Sequence, residues 1–573
     1  MSTDGSAAAP AGAAGTAAGA TMAPAGAAGA GTAGAVPFDL DKPWCLDERV
    51  AVRPEPFGAL MYHFGTRKLS FLKSTTMLAV VRSLAGQPSA RAACAAAGVG
   101  DRGLPAYERA LAMLAASQMI VARGEAAPGP SGDGPPGGRP REPAAPPRGA
   151  QAAPPRGADE APQDRAPGRM PRLADQFAPG LAAPICLTWE LTYACNLACV
   201  HCLSSSGRRD PRELTTAECK KVIGALQRMG VFYVNIGGGE PTVRPDFWEL
   251  VDYATARQVG VKFSTNGVRI DAAAARRLAA SDYVDVQISL DGATAGVNDA
   301  VRGAGSHATA IRAMENLRAA RFKGFKISVV VTRHNIAQLD ELKALADAYG
   351  AQLRLTRLRP SGRGAGTWHE LHPTAGQQRQ LYDWLLAHGD QVLTGDSFFH
   401  LSPYGRPLPG LNMCGAGRVV CLIDPVGDVY ACPFAIHEEF RAGNVRQPGG
   451  FEAVWRDAAL FAELRRARPG GACASCEFHD SCRGGCMAAK FFTGLPLDGP
   501  DPECVQGHGA EALKAAGAAT VPQPRPDHSH RGPVRGQAPV PVTIGRRPPG
   551  PARSAARPCE DHPLAGLTPG DAR

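Results

Sequence analysis

Six short apolar runs recur between residues 185 and 358, with helical periodicity between them, and this alternation restricts the chain more than any other feature. The strand candidates are Ile185–Leu191, Phe232–Ile236, Val261–Ser264, Val284–Ser289, Lys326–Val331 and Gln352–Leu358. The helix candidates are Thr215–Met229, Asp246–Gln258, Asp271–Ala280, His307–Ala320 and Ile336–Tyr349. Repeated β–α units imply a parallel sheet, because each helix carries the chain back to the edge where the previous strand began. Right-handed crossovers can curl such a sheet into a partial (β/α)6 barrel, an α/β fold. Functional groups in folds of this kind gather at the carboxyl ends of the strands.

The flanks have a different texture. Residues 1–36 are almost all Ala, Gly, Thr, Pro and Ser; they cannot bury a core and are expected to be disordered. Over residues 37–123 the pattern becomes globular. Phe57–Lys73 reads as a hairpin around Gly65 and Thr66, and helical periodicity follows in Thr75–Leu84, Ala90–Ala97 and Pro105–Gln118. A small α+β domain is expected there. Residues 124–169 have the Pro/Gly/Arg composition of an extended, flexible linker. The barrel is expected over 170–399, a cysteine-rich region over 400–510, and a disordered Pro/Arg/His-rich tail over 511–573.

The net charge is +9, but the excess lies mostly in Arg of the Pro/Gly-rich segments, without the interleaved aromatics of a nucleic-acid face. No apolar run approaches the roughly 20 residues that span a bilayer, and the N-terminus lacks the basic and apolar regions of a signal peptide. A cytoplasmic protein with neither a nucleic acid nor a membrane as partner is expected. In a reducing compartment, sixteen cysteines point to metal or redox chemistry rather than disulfides. Cys45, Cys94, Cys186, Cys219 and Cys559 are scattered and read as incidental thiols; the other eleven fall into a triplet and a C-terminal group.

Cys195, Cys199 and Cys202 lie just past the first strand in the loop YACNLACVHC. Three thiolates on a short loop can hold three irons of a 4Fe-4S cluster and leave the fourth open. A zinc site is the alternative, although zinc usually pairs C-x2-C units and closes with four ligands. The triplet resembles the radical S-adenosylmethionine (SAM) signature C-x3-C-x-aromatic-C, with His201 where an aromatic residue is usual. The resemblance implies an adenine contact at His201. It implies a methionyl-ammonium contact at Gly238, Gly239 and Glu240 of the GGEP motif, and ribose contacts around Ser264 and Asn266. Ser289 and Asp291 close the fourth strand, and Arg302 is the expected partner of the methionyl carboxylate. It further implies reductive cleavage of SAM to methionine and a 5′-deoxyadenosyl radical, with the electron coming from an external donor.

Eight cysteines lie between Cys414 and Cys504. Their spacing resembles the SPASM domain, which holds two auxiliary iron–sulfur clusters. By that resemblance Cys473, Cys476, Cys482 and Cys504 ligate one cluster. Cys414, Cys432 and Cys486 ligate the other; Cys421, outside the core motif, is its expected fourth ligand, and an iron left open there is the alternative. A zinc ribbon is the alternative for the Cys473–Cys486 stretch.

Residues 37–123 resemble the PqqD-like peptide chaperones, small winged helix–like domains that capture a leader peptide as an added strand. An unrelated winged helix–like module is the alternative. The stretches APICLTWELTYACNLACVHCLSSSG, FYVNIGGGEPTVRPDFWELVDYATA, LTGDSFFHLSP and CRGGCMAAKFFTGLPLDGPDPEC resemble the mycofactocin maturases. The resemblance implies a fused chaperone and maturase acting on a ribosomally made precursor peptide. Its C-terminal tyrosine would undergo oxidative decarboxylation and then become crosslinked to the preceding valine. Another SPASM peptide cyclase, or an iron–sulfur peptide-binding scaffold without catalysis, would share these features.

Overall fold

The computed structural model describes residues 37–123, 177, 180–394, 398–408 and 413–516. The expected disorder of 1–36, the linker at 124–169 and most of the expected tail lie outside the described residues. A helix at His508–Ala516 runs past residue 510, where the tail was expected to begin.

The N-terminal domain is a three-stranded antiparallel sheet of β2 (Val50–Glu55), β3 (Gly58–His63) and β4 (Lys68–Leu72), followed by α1 (Thr75–Ser83), α2 (Ala90–Ala96) and α3 (Leu104–Ala116). Ser74 and Ser89 start the first two helices by accepting from Met77 and Ala92 backbone N–H groups, a strong N-cap arrangement. The short β1 (Trp44–Leu46) pairs with β5 (Ile120–Ala122) and ties the domain's ends together. Every residue of β3 is buried. Ala59 and Met61 face the domain's own helices, whereas Leu60, Tyr62 and the following Phe64 face the barrel. That double burial explains why residues 59–62 are a continuous apolar and aromatic run rather than an alternating one.

The barrel strands are β6 (Cys186–Thr192), β7 (Tyr233–Gly238), β8 (Gly260–Thr265), β9 (Val284–Ser289), β10 (Lys326–Val331) and β11 (Gln352–Arg357), parallel and hydrogen-bonded in sequence order. Helices α4 (Thr216–Arg228), α5 (Phe247–Thr255), α6 (Ala272–Ala279), α7 (Ala295–Arg302), α8 (Ser306–Ala319) and α9 (Leu339–Ala348) connect them. The six expected strands and five expected helices are all present; α7 is an addition. Thr215 and Glu218 form a reciprocal capping box at α4, satisfying two of its free N-terminal donors.

One face of the sheet supplies the main core: Val234, Ile236, Val261, Phe263, Val284, Val286, Ile288, Ile327, Val329, Leu353 and Leu355 pack together. Side chains alternate across a strand, so the intervening residues face the barrel interior. These are polar: Glu190, Asn235, Lys262, Ser264, Asp285, Gln287, Lys326, Ser328 and Arg354. The interior-facing positions of the sheet are thus mostly polar, not apolar.

The sheet does not end at β6. Strand β13 (Val420–Ile423), from the cysteine-rich region, lies parallel to β6, with Cys421 opposite Leu187. Strands β14 (Asp428–Tyr430) and β15 (Arg441–Asn444) extend it antiparallel, while β12 (Val392–Leu393) borders β11. Among the described residues, no helix is long and apolar enough to cross a membrane.

Candidate functional site

The loop after β6 is held in place from outside. Cys195 N–H donates to Gly207 O (2.8 Å) and Gly207 N–H to Tyr193 O (2.8 Å), closing its base. Arg363 reaches in from beyond β11, donating to Cys199 O (3.0 Å) and Ser206 O (2.8 Å). Burial raises the Cys195 thiol, and the neighbouring Cys199 raises it further. Burial pushes Cys199 up to about 11, although Arg302 opposes it. Burial alone would raise Cys202 too, but Arg363 and donors from Ser204 and Ser206 outweigh it and hold this thiol below its ordinary value. The three sulfurs lie close enough to influence one another electrostatically, under two guanidinium groups that favour thiolates. Among the described residues, no three His, Cys, Asp or Glu groups converge as a single metal ion requires. Three thiol side chains on one loop are the donor type that an iron–sulfur cluster takes.

The GGEP loop lies against the cysteine loop. Gly239 N–H donates to Thr192 O and Glu240 N–H to Ala194 O, both at 2.8 Å. A Cβ on Gly239 would stand 2.0 Å from Ala194 O, so no side chain fits. Gly238 has φ +96°, and a Cβ there would stand 2.8 Å from Thr192 O. Glu240 is fully buried, and its carboxylate is already engaged. It accepts from Thr242 Oγ1 (2.5 Å), Thr265 Oγ1 (2.7 Å) and Asn266 N–H (2.7 Å). Burial raises its pKa despite these donors. The expected ammonium contact would have to share these lone pairs, whereas the flanking glycine backbone is free of side-chain bulk. Asn266 in turn donates to Asn196 Oδ1 in the cysteine loop (2.8 Å).

Asp291 gathers the fourth loop. Its Oδ1 accepts from Val330 N–H (2.7 Å), and its Oδ2 lies 2.9 Å from His201 Nε2 and 2.6 Å from Arg302 Nε. Burial would raise its pKa, but Arg302 and His201 hold it well below the usual carboxylate range. Arg302, expected to meet a ligand carboxylate, is thus paired with a protein carboxylate. His201 is expected at the adenine; its Nε2 faces Asp291, and its Nδ1 is buried without a hydrogen-bond partner. Ser264 and Ser289 stand at the interior ends of β8 and β9.

The C-terminal cysteines form two groups in space. Cys432 is raised by burial and by Cys414 and Cys486 beside it. Burial pushes Cys482 up to about 12, with Asp501, Cys504 and Cys473 adding to the effect. Cys473 also senses Cys504 and Cys476. Cys421 is fully buried on β13, and Arg465 is a charged neighbour. Arg359 donates to Cys486 Sγ (3.4 Å) and stacks on Phe434 at 3.5 Å. Arg357 grips Asp501 through two hydrogen bonds (2.6 and 2.9 Å) and Glu503 through another (2.6 Å). Asp501 also accepts from Cys486 N–H (2.7 Å).

The residues that tie these pieces together, Arg357, Arg359, Arg363, Asn298, Asn335 and Asp501, are absent from the sequence reading. One signal was visible: RLTRLRPSGR, at the end of the sixth strand, carries more arginines than a strand exit needs. The asparagines gave none. Asn298 accepts from Asp291 N–H and Asn335 donates to Asp291 O, contacts that only the folded loops bring together.

Three family models match in order: the peptide chaperone MftB family at residues 43–121, the radical SAM superfamily at 189–346 and an iron–sulfur cluster-binding domain at 414–477. Over 397 residues the chain is 69% identical to the mycofactocin maturase MftC of Mycobacterium tuberculosis, covering 69% of this chain and 99% of that protein. The chain belongs to the mycofactocin maturase family. It is a radical SAM enzyme of mycofactocin maturation, with SAM and iron–sulfur clusters as cofactors.

Within that family the maturase of Mycobacterium ulcerans is 74% identical over 362 residues, 63% of this chain and 98% of that protein. The peptide chaperone MftB of the same organism is 64% identical over 89 residues, 16% of this chain and 82% of that protein. Those two are separate proteins; here both likenesses lie on one chain. The crystal structure of Streptococcus suis SuiB bound to S-adenosylmethionine shares the fold, with a TM-score of 0.54 at 16% identity over 80% of this chain and 99% of that one.

Proposed function

We propose that this chain modifies the C-terminal Val-Tyr of a ribosomally made precursor peptide, whose leader is held by its own N-terminal domain. The tyrosine undergoes oxidative decarboxylation, and the product is then joined to valine through a carbon–carbon bond. The observation that carries this reading is the near-complete coverage of the mycobacterial maturases by one stretch of a chain that also carries the chaperone.

Cys195, Cys199 and Cys202 hold the SAM-binding cluster, and Arg363 fixes their loop. The backbone of Gly238 and Gly239, with Ser264, Asn266, Ser289 and Arg302, lines the SAM site. When bound, these cofactors supply one-electron chemistry able to remove hydrogen from an unactivated carbon. Asp291 orients His201 and Arg302 around them. Cys414, Cys421, Cys432 and Cys486 would hold one auxiliary cluster, and Cys473, Cys476, Cys482 and Cys504 the other, which would supply further one-electron redox chemistry. An external donor supplies the first electron. The leader adds to an outer edge of the β2–β3–β4 sheet, where backbone groups supply affinity.

The test is anaerobic incubation with SAM, a strong reductant and the precursor peptide encoded nearby, followed by mass spectrometry. Loss of CO2 plus two hydrogens is expected. Loss of two hydrogens alone would favour a thioether or another carbon–carbon cyclase. Failure to form 5′-deoxyadenosine would reduce the chain to a scaffold.

A further inference from the structure

The amino ends of the barrel strands carry an unusual load. Lys262 on β8, Asp285 on β9 and Lys326 on β10 all face the interior near its floor, three charges where a closed barrel would place apolar side chains. Lys326 donates to Asp285, which is only 2% exposed. The groups that finish this layer come from the N-terminal domain. Arg67, in the turn between β3 and β4, donates to Val284 O (2.9 Å) and stands 3.9 Å from Asp285. Tyr62 stacks on Phe232 (5.7 Å between rings) and lies 5.2 Å from Tyr233. Lys262 sits 3.4 Å over the ring of Tyr233 on the barrel and 5.6 Å from that of Tyr62 on the domain, cation–π contacts that straddle the junction. Phe64 meets Tyr283 at 4.5 Å. A buried clasp secures the edge: Arg53 donates to Ala183 O (2.8 Å) and Pro184 O (2.9 Å), and Glu55 accepts from Ala182 N–H (3.1 Å).

We propose that the fused chaperone domain is the floor of the barrel, closing its amino-terminal mouth against water, in addition to holding a leader. Two observations support this independently of any leader: Arg67 of the domain bonds Val284 O beside Asp285 at the strand ends, and the apolar second face of β3 is spent on the barrel rims. Burial lowers the Lys326 ammonium, with Lys262 and Arg67 adding to the effect against Asp285, and 12% of its side chain stays accessible. Water exclusion matters to a chamber that hosts a reactive carbon species, because it suppresses side reactions. The activity arm of this idea rests on the proposed peptide chemistry; the closure itself does not.

The test uses the full-length, cluster-reconstituted protein and an amine-reactive label read by mass spectrometry at each lysine. Lys262 and Lys326 should label about tenfold more slowly than exposed Lys323. Arg67→Ala on the domain side and Tyr233→Ala on the barrel side should each raise labelling of Lys262 and Lys326 about tenfold, with Lys323 unchanged. Using both sides guards against a variant that merely unfolds the domain, since Tyr233 lies outside it. In the same variants the ratio of 5′-deoxyadenosine to modified peptide should rise. Wild-type Lys262 and Lys326 labelling as fast as Lys323, or slow labelling persisting in both variants, overturns the floor. If labelling responds as stated but the wild type modifies no peptide, the proposed substrate fails and the floor stands.

Discussion

His201 Nε2 lies 2.9 Å from Asp291 Oδ2, joining the cysteine loop of the first barrel strand to the loop that closes the fourth. The same carboxylate oxygen lies 2.6 Å from Arg302 Nε. One buried acid thereby orients two of the groups expected around SAM. Asp291→Asn keeps the shape but removes the charge. It should leave the cluster assembled, weaken SAM binding by about 1–3 kcal/mol, roughly 5- to 150-fold, and slow SAM cleavage at subsaturating SAM. Equilibrium binding monitored through the cluster's spectrum would measure this; unchanged affinity would mean that Asp291 serves only the fold.

Cys199→Ala should abolish SAM cleavage and lower the iron content by about four per chain, because one of three ligands on the loop is gone. The auxiliary signals should persist, since the C-terminal cysteines lie in other segments. Iron analysis and 5′-deoxyadenosine detection after anaerobic reconstitution decide this. Wild-type turnover in the variant would end the triplet assignment.

Arg357→Gln should be strongly destabilising, by about 3–5 kcal/mol, because it leaves Asp501 and Glu503 buried without their cation. Thermal unfolding gives that cost. Asp501 accepts from Cys486 N–H, and Glu503 precedes Cys504, so electron paramagnetic resonance of both auxiliary clusters should change while that of the SAM-binding cluster does not.

Glu218 both caps α4 and bridges to Arg446 (2.6 Å). Arg446 holds its pKa down at about 2, helped by donors from Thr215. A depressed carboxylate contributes stability above its unfolded pKa, and this is lost as pH falls through the folded value. Glu218→Gln should therefore cost about 1 kcal/mol at neutral pH. The deficit should shrink as pH falls below about 4.3, the unfolded value. Denaturant midpoints at neutral and acidic pH, compared between the two proteins, test the sign; a deficit that grows on acidification contradicts it.

Local pattern sufficed for the barrel. Val284–Ser289 and Lys326–Val331 are strands over the expected residues, because alternation between an apolar outer face and a polar interior is written residue by residue. Cys414 and Cys486, two of the thiols that the SPASM resemblance groups with Cys432, are among the charges that raise it. What stayed hidden depends on contacts distant in sequence. Nothing near Val420 announces that β13 pairs with β6, since a four-residue strand has too few side chains to declare its partner. Arg363 reads as loop charge until folding brings it onto Cys199 O. The double burial of β3 was visible only as an excess of apolar residues without a stated face.

Strand β13 makes the auxiliary-cluster region part of the barrel's own hydrogen-bonded lattice, not a lobe hung from it. A hinged lobe would let the gap between redox centres open and close with each turnover. With clusters bound as proposed, this continuity would hold the gap between them constant, so electron passage should vary little with viscosity or with the pace of peptide entry. Timing then belongs to whatever delivers the substrate, and the wiring stays constant.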